Sequence, residues 1–439
     1  VLLLGSLVFY AWGEPRFVPL LLLSALLNYG CGYLISRAEA RRRAVLIVGV
    51  AANLGLLAFY KYLGFFSEIY NQLAAPWQRS VDLPAVVLPL GISFFTFQGI
   101  SYLIDVYRRD IAVQTSFLNF AMYKAMFPQL IAGPIVRYSQ IASEIEQRPV
   151  PNERLWRGVQ QFVLGLAQKV LIANVVALPA DHFFGLPTNQ LALPAAWLGI
   201  ACYSIQILYD FAGYSNMAIG IGHMLGFSYP PNFDRPYSAR SITEFWRRWH
   251  ISLSSWFRDY LYIPLGGNRG SAARTYFNLG LVFLLCGLWH GAAWTFILWG
   301  VWHGFWLIVE RAGLGAVLAR LPGLLSQAYT LLLVMLGWVL FRADSLPHAL
   351  GYWRAMLGMQ TLDPATQPWQ MHFSNSVASA LAIGLLLAIW RRAEARQPVD
   401  GVRAWLLAGA RPLLLSLAFL VSIASLAAGT YNPFIYFRF

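Results

Sequence analysis

The sequence predicts an all-α polytopic membrane protein, and three observations carry that prediction. Apolar residues make up 58% of the 439 positions and charged residues only 12%, against about 45–50% and about 25% in an average soluble domain. Long apolar stretches recur along the whole chain, and no polar block between them is large enough for a separate folded domain. The net charge of +13 comes almost entirely from arginines in short loops between those stretches, which is the pattern of the positive-inside rule. A soluble enzyme of this length would show two or three domains. The loop arginines suit anionic lipid headgroups, so no nucleic-acid partner is expected. Cys31, Cys202 and Cys286 sit in apolar surroundings and read as small buried hydrophobes. No metal site is expected, since neither Cys nor His has ligand spacing.

A membrane-crossing helix needs about 20 apolar residues. The first run, 1–12, is short and begins without a methionine, so the start of the chain is expected to be truncated. The segments 17–35, 44–66, 83–104, 117–135, 155–178 and 191–225 follow. After a polar middle come 276–288, 292–309, 324–341, 377–390 and 412–428, giving about 11–12 membrane segments. Leu88-Pro-Leu-Gly-Ile92 interrupts one of them, and two prolines and a glycine interrupt the stretch from Phe127 to Ile135. Broken or re-entrant helices are expected there, because irregular backbone at membrane depth survives only against protein or a water-filled cavity. Arg37 with Arg41–Arg43, the stretch from Arg235 to Arg274, and Arg391, Arg392, Arg396 and Arg403 should face the cytoplasm, and the loop at Asp181 and His182 the outside. One membrane domain, 1–439, is expected, with a polar cytoplasmic-side region at about 226–275.

In that polar region Ser241-x-x-Glu244 is a capping box and predicts a helix from Ile242. On a continuous helix Phe245, Trp249, Ser252 and Trp256 would share one side, and Trp246, His250, Leu253 and Phe257 the neighbouring stripe. Arg247 and Arg248 would project elsewhere, toward phosphates. The plain alternative is an interfacial anchor, with tryptophan at headgroup level and arginine snorkelling. Gly266-Gly-Asn-Arg-Gly270 reads as a turn cluster.

His290 is the sharper signal, because from Leu281 to Trp299 the chain is apolar apart from His290 and Thr295. Ionisable groups at membrane depth are costly and mark functional sites by default. Burial disfavours the imidazolium form, and a neutral imidazole is what a general base for a hydroxyl needs. The plain alternative is a histidine hydrogen-bonded between helices. His303 repeats the context, but thirteen residues put it about 140° away around a straight helix and roughly 20 Å along it. It is therefore the second choice: both point into one site only if the helix breaks, which Gly300 would permit. His182, His223, His348 and His372 read as loop or helix-end residues.

These motifs resemble the membrane-bound O-acyltransferase (MBOAT) family, and within it the bacterial alginate O-acetyltransferase branch. The resemblance rests on the stretch from Phe127 to Arg137, on Phe245-Trp-Arg-Arg-Trp-His-Ile-Ser-Leu-Ser-Ser-Trp-Phe-Arg-Asp-Tyr260, on Leu288-Trp-His-Gly291, and on the tail from Asn432 to Arg438. It implies an MBOAT-type helical bundle with a central tunnel, in the bacterial inner membrane. It implies catalytic roles for His290 and for His250, which stands where relatives carry His or Asn. It also implies that an acetyl group moves from a cytoplasmic thioester, acetyl-CoA as co-substrate with no bound cofactor, to extracytoplasmic partner proteins that modify an exported polysaccharide such as alginate. Trp246, Arg247, Arg248, Trp249 and Arg258 are the candidate donor-binding residues. Two other functions compete: D-alanyl or other acyl transfer to a cell-wall polymer, and a non-enzymatic transporter of a lipid-linked sugar. The transporter would show inverted repeats, and none is visible.

Overall fold

The structure, a computed structural model, describes residues 1–77, 79–83, 86–131, 133–360, 368–389 and 402–432, the last stretch with side chains from 410 onward. Among the described residues the chain forms helices and no strand, as a bilayer demands of a chain that must satisfy its backbone within each segment. The first layer is α1 (Leu2–Gly13), α2 (Val18–Arg37), α3 (Arg42–Ala74) and α4 (Ile92–Arg108), with α4 packed on both α2 and α3. Short pieces follow: α5 (Phe117–Ala125), α6 (Phe127–Leu130) and α7 (Tyr138–Glu146). α8 (Asn152–Ala167) passes through a π-helical turn into α9 (Asn174–Gly185), and both pack on α10 (Leu193–Met224). α11 (Ile242–Arg248) and α12 (Ile251–Phe257) form the polar middle. α13 (Ala272–His290) and α14 (Trp294–Val309) make an antiparallel hairpin, followed by α15 (Gly315–Leu318), α16 (Gly323–Arg342), α17 (Leu346–Met356), α18 (Asn375–Ile389) and α19 (Val402–Ala427).

The protein is an all-helical, multi-spanning membrane protein. Seven described stretches are long and apolar enough to cross a bilayer, and α1 and α18 are shorter apolar helices. Three of the segments counted from sequence fall short for visible reasons. The 83–104 run becomes helical only after Gly91, leaving the 17 residues of α4. The 117–135 run breaks at Met126 into α5 and α6, and its irregular end lies against α12, where the Ile135 amide donates to Ser252 Oγ at 3.0 Å. The 292–309 run yields a helix of 16 residues. α10 is almost wholly enclosed, whereas Ala410–Ala427 is almost wholly exposed, so the core lies around α10 and the lipid-facing shell around α19.

Ion pairs sort the two faces. On one, Arg109 pairs with Glu39, Arg137 with Asp259, Arg154 with Glu144, and Arg248 with Asp234 and Glu244. The positive-inside rule assigns such an arginine-rich face to the cytoplasm. At the far end of α9, Asp181 takes Arg342 of α16 at 2.7 Å and the Tyr431 hydroxyl at 2.8 Å, so the loop that lacks cations of its own receives one from a distant helix. Arg391, Arg392, Arg396, the Arg403 side chain and the tail motif beyond Asn432 lie outside the described residues.

Candidate active site

Helix α11 starts where its capping box predicts. Ser241 Oγ accepts from the Glu244 amide at 3.0 Å, and Glu244 Oε2 accepts from the Arg240 amide at 2.8 Å. A second carboxylate completes the cap: Glu310, just beyond α14, accepts from the Ile242 amide at 2.6 Å and from the Thr243 amide and hydroxyl at 2.9 and 2.8 Å. A carboxylate suits a helix N-terminus because the first amides have no partner within the helix and the dipole favours negative charge. Replacing Glu310 with Ala is therefore expected to destabilise the protein by about 2 kcal/mol. Thermal unfolding in detergent reads this, and an unchanged melting temperature would show that the cap contributes nothing.

The continuous helix expected through His250 does not form. His250 stands at φ 43, ψ 55, a left-handed conformation, and α12 restarts at Ile251. The cause lies eighteen residues upstream in the loop at Asn232. Its carbonyl takes the Ile251 amide at 2.9 Å, its Oδ1 takes the Ser252 amide at 3.2 Å, and the Asp234 amide occupies Arg248 O at 2.9 Å. The loop thus replaces the helical partners on both sides of the break. The two stripes drawn on a single helix are corrected accordingly.

The break turns His250 into the core, where it is fully buried. Its Nδ1 lies 3.1 Å from Asn232 Oδ1. That atom also accepts the Ser252 amide, which fixes it as the oxygen, so neutral His250 carries its proton on Nδ1 and a lone pair on Nε2. Nε2 has no partner among the described residues.

The α13–α14 hairpin supplies the other two histidines. The break that brings them together falls at Gly291–Ala293, not at Gly300. Gly300 instead packs against Gly287, and a Cβ on either would collide with backbone of the facing helix. Trp299 then contacts both imidazoles, with its ring 4.9 Å from His290 and 5.0 Å from His303. Trp289 stands 4.9 Å from His290 and 6.2 Å from His250. His303 Nδ1 accepts from Trp246 Nε1 at 3.3 Å, so its proton resides on Nε2. The three histidines therefore surround one aromatic centre, although only His290 reaches a described cavity.

Two cavities flank that centre. The inner one, about 610 Å³, is walled by Trp246, Arg247, Arg258, Phe283 and Cys286 and belongs to the arginine-rich face. The outer one, about 430 Å³, is walled by Glu14, Lys61, the turn Leu88–Phe94, Trp289 and His290. Trp299 stands between them, 5.6 Å from Trp246 on one side and beside His290 on the other. α13 runs along both, with Leu279, Val282 and Cys286 in the inner wall and His290 about one turn further on in the outer one. A larger cavity of about 860 Å³ between α8, α10 and α18 touches none of the histidines.

The candidate donor residues divide. Trp246, Arg247 and Arg258 line the inner cavity. Arg248 turns away to Asp234 and Glu244, at 3.0 and 2.9 Å. Trp249 packs on Phe233 and Trp338. Asp259 bridges Arg258 and Arg137; burial pushes its carboxyl up, but hydrogen bonds from both guanidinium groups outweigh that and hold it below the ordinary carboxylate range.

Lys61 is the residue that the sequence reading passed over. From the middle of α3 its ammonium donates to Trp289 O, and to His290 O at 3.0 Å, while Tyr62 OH donates to Leu288 O at 2.8 Å. Together they satisfy the carbonyls that end α13, where a cation also offsets the helix dipole. The available signal was one lysine within a 33-residue apolar helix.

Comparison with known proteins gives a consistent set of relatives. Residues 106–318 match the membrane-bound O-acyltransferase family. The chain is 42% identical over 393 residues to the probable alginate O-acetylase AlgI of Pseudomonas aeruginosa, covering 88% of this chain and 74% of that protein. Against the probable alginate O-acetylase AlgI of Pseudomonas putida it is 40% identical over 466 residues, covering 100% and 94%. Against the peptidoglycan O-acetyltransferase of Helicobacter pylori it is 35% identical over 486 residues, covering 100% and 91%.

Proposed function

This chain belongs to the membrane-bound O-acyltransferase family, and on that premise we propose that it passes acetyl groups from cytoplasmic acetyl-CoA through the inner membrane to modify an exported polysaccharide. The membrane acyltransferase activity follows from the family. The acetyl group, the CoA carrier and alginate or a related glycan as final acceptor are our reading, supported by the O-acetylases among its relatives. Extracytoplasmic partner proteins would take the acetyl group from the outer cavity, which alone is small for a polymer.

One observation carries the reading: His290 is part of the wall of the outer cavity, one aromatic ring away from the cavity that holds the arginines, and its Nε2 is buried with no hydrogen-bond partner among the described residues. A thioester is already activated, so the protein must mainly align a hydroxyl, remove its proton and stabilise the oxyanion. His290 removes the proton. Nε2 of His250, fixed as an acceptor by Asn232 but outside both cavities, would meet a hydrogen-bond donor of the substrate only once the aromatic rings around it part. His303, closed off by Trp246, supports that wall without touching the reacting atoms. Burying so many unpaired polar atoms is costly in a finished core, and a polar substrate threading the centre would satisfy them.

Arg247 and Arg258 bind the phosphates of the donor. A charge-assisted hydrogen bond contributes about 1.5–3 kcal/mol, so Arg247→Ala should raise the acetyl-CoA KM about tenfold or more with kcat little changed. Arg248→Ala, which faces carboxylates, should leave that KM alone. Initial rates with acetyl-CoA against acetyl-pantetheine, which lacks the nucleotide phosphates, test the assignment. An Arg247→Ala protein that still prefers acetyl-CoA as strongly as wild type would remove the arginine from the donor site.

A further inference from the structure

The geometry points to Lys61 as a catalytic residue that donates a hydrogen bond to the oxyanion formed during acyl transfer in the outer cavity; this rests on the reading of His290 as the base. An ammonium has three N–H donors, and two are spent on Trp289 O and His290 O. Among the described residues no carboxylate pairs with Lys61, and its side chain is part of the wall that contains His290. The third donor has no hydrogen-bond partner among the described residues, and the ammonium sits on the cavity side of Trp289, 5.7 Å from the centre of its ring. The facing wall is the first turn of α4, Ile92–Phe94, whose dipole presents its positive end to the same space.

Capping alone does not account for a lysine here. Tyr62, the next residue, caps Leu288 O with a neutral hydroxyl, and a charge inside a membrane helix costs several kcal/mol more. A charge is useful where negative charge appears during the reaction. The acceptor oxygen forms a bond to the thioester carbonyl carbon while its proton passes to the His290 imidazole. The carbonyl electron pair moves onto oxygen, where the Lys61 N–H meets it. Collapse breaks the carbon–sulfur bond, and His290 returns the proton to the departing thiolate, leaving an O-acetyl ester and free CoA thiol.

The test uses the full chain in lipid vesicles with its partners and acceptor, supplied with acetyl-CoA. Lys61→Met should lower kcat about 10²–10³-fold per folded protein and leave the acetyl-CoA KM within about threefold. Tyr62→Phe, which removes a neighbouring cap and no charge, should stay near wild type. Equal losses in the two variants, or full activity in Lys61→Met, would overturn the role. Lys61→Gln retains a neutral donor for the carbonyls and guards against misfolding of the methionine variant. Its readout is the rate ratio between acetyl-CoA and the matching dithioester, whose sulfur is a poor hydrogen-bond acceptor. The preference for oxygen should shrink about tenfold, and an unchanged ratio overturns the proposal. Absence of transfer by wild type would overturn the underlying donor reading, whereas wild-type transfer with unaffected Lys61 variants would overturn only the lysine.

Discussion

His290→Ala is expected to lower acetyl transfer by about 10³-fold or more, at the upper part of the range for removing a general base. The fold should persist, because the His290 ring makes no hydrogen bond to another side chain among the described residues, while the contacts that anchor this end of α13 are to backbone carbonyls. The truncated side chain opens space beside Trp299 and Phe341, so some loss of stability accompanies the change without unfolding it. His303→Ala is the informative companion. That ring accepts from Trp246 and lies outside the described cavities, so its removal should lower stability with a smaller loss of rate per folded molecule. Measuring transfer and thermal unfolding on the same samples separates the two histidines. The reverse ranking would move the base to His303.

The second large effect is structural and sits ten residues from His290. Gly300→Val should abolish accumulation of folded protein, and Gly300→Ala should destabilise it by about 3 kcal/mol, the upper range for overpacking. A Cβ at Gly300 would collide with Phe283 O and come within 3.0 Å of Gly287 Cα, so α13 and α14 would have to separate. Such small residues let membrane helices approach closely where apolar burial supplies no drive. Separation would shift His290 against Lys61 and Trp299, and a misplacement near 1 Å costs about 10²-fold in rate. Gly280→Ala provides the control on the same hairpin, since its nearest neighbour would be 4.0 Å away. A Gly300→Ala protein as stable and active as Gly280→Ala would show that the hairpin has slack there.

The sequence made the helical membrane class legible because composition and apolar run length are direct consequences of a bilayer solvent. The start of α11 was legible because a capping box is local. The break at His250 was not, since neither glycine nor proline marks it and its cause is the Asn232 loop, which supplies acceptors from a distance. The hairpin turn was legible as the gap between the 276–288 and 292–309 runs. Gly300 looked like the flexible position, yet it is needed for close packing, and the chain reverses at Gly291–Ala293. Among the arginines, side-chain direction depended on that same break: Arg247 meets the inner cavity while its neighbour Arg248 finds Asp234. Lys61 escaped notice because its partners are backbone carbonyls more than two hundred residues away, which no motif encodes.

The measurement that bears most directly on the account is sidedness of transfer in sealed vesicles of known orientation. Labelled acetyl-CoA is supplied only to the arginine-rich face, with partner proteins and polysaccharide only on the other. Wild type should deliver label to the far-side acceptor, and His290→Ala, folded to the same extent, should not. Delivery by His290→Ala at the wild-type rate, or delivery only when donor and acceptor share a face, would contradict it.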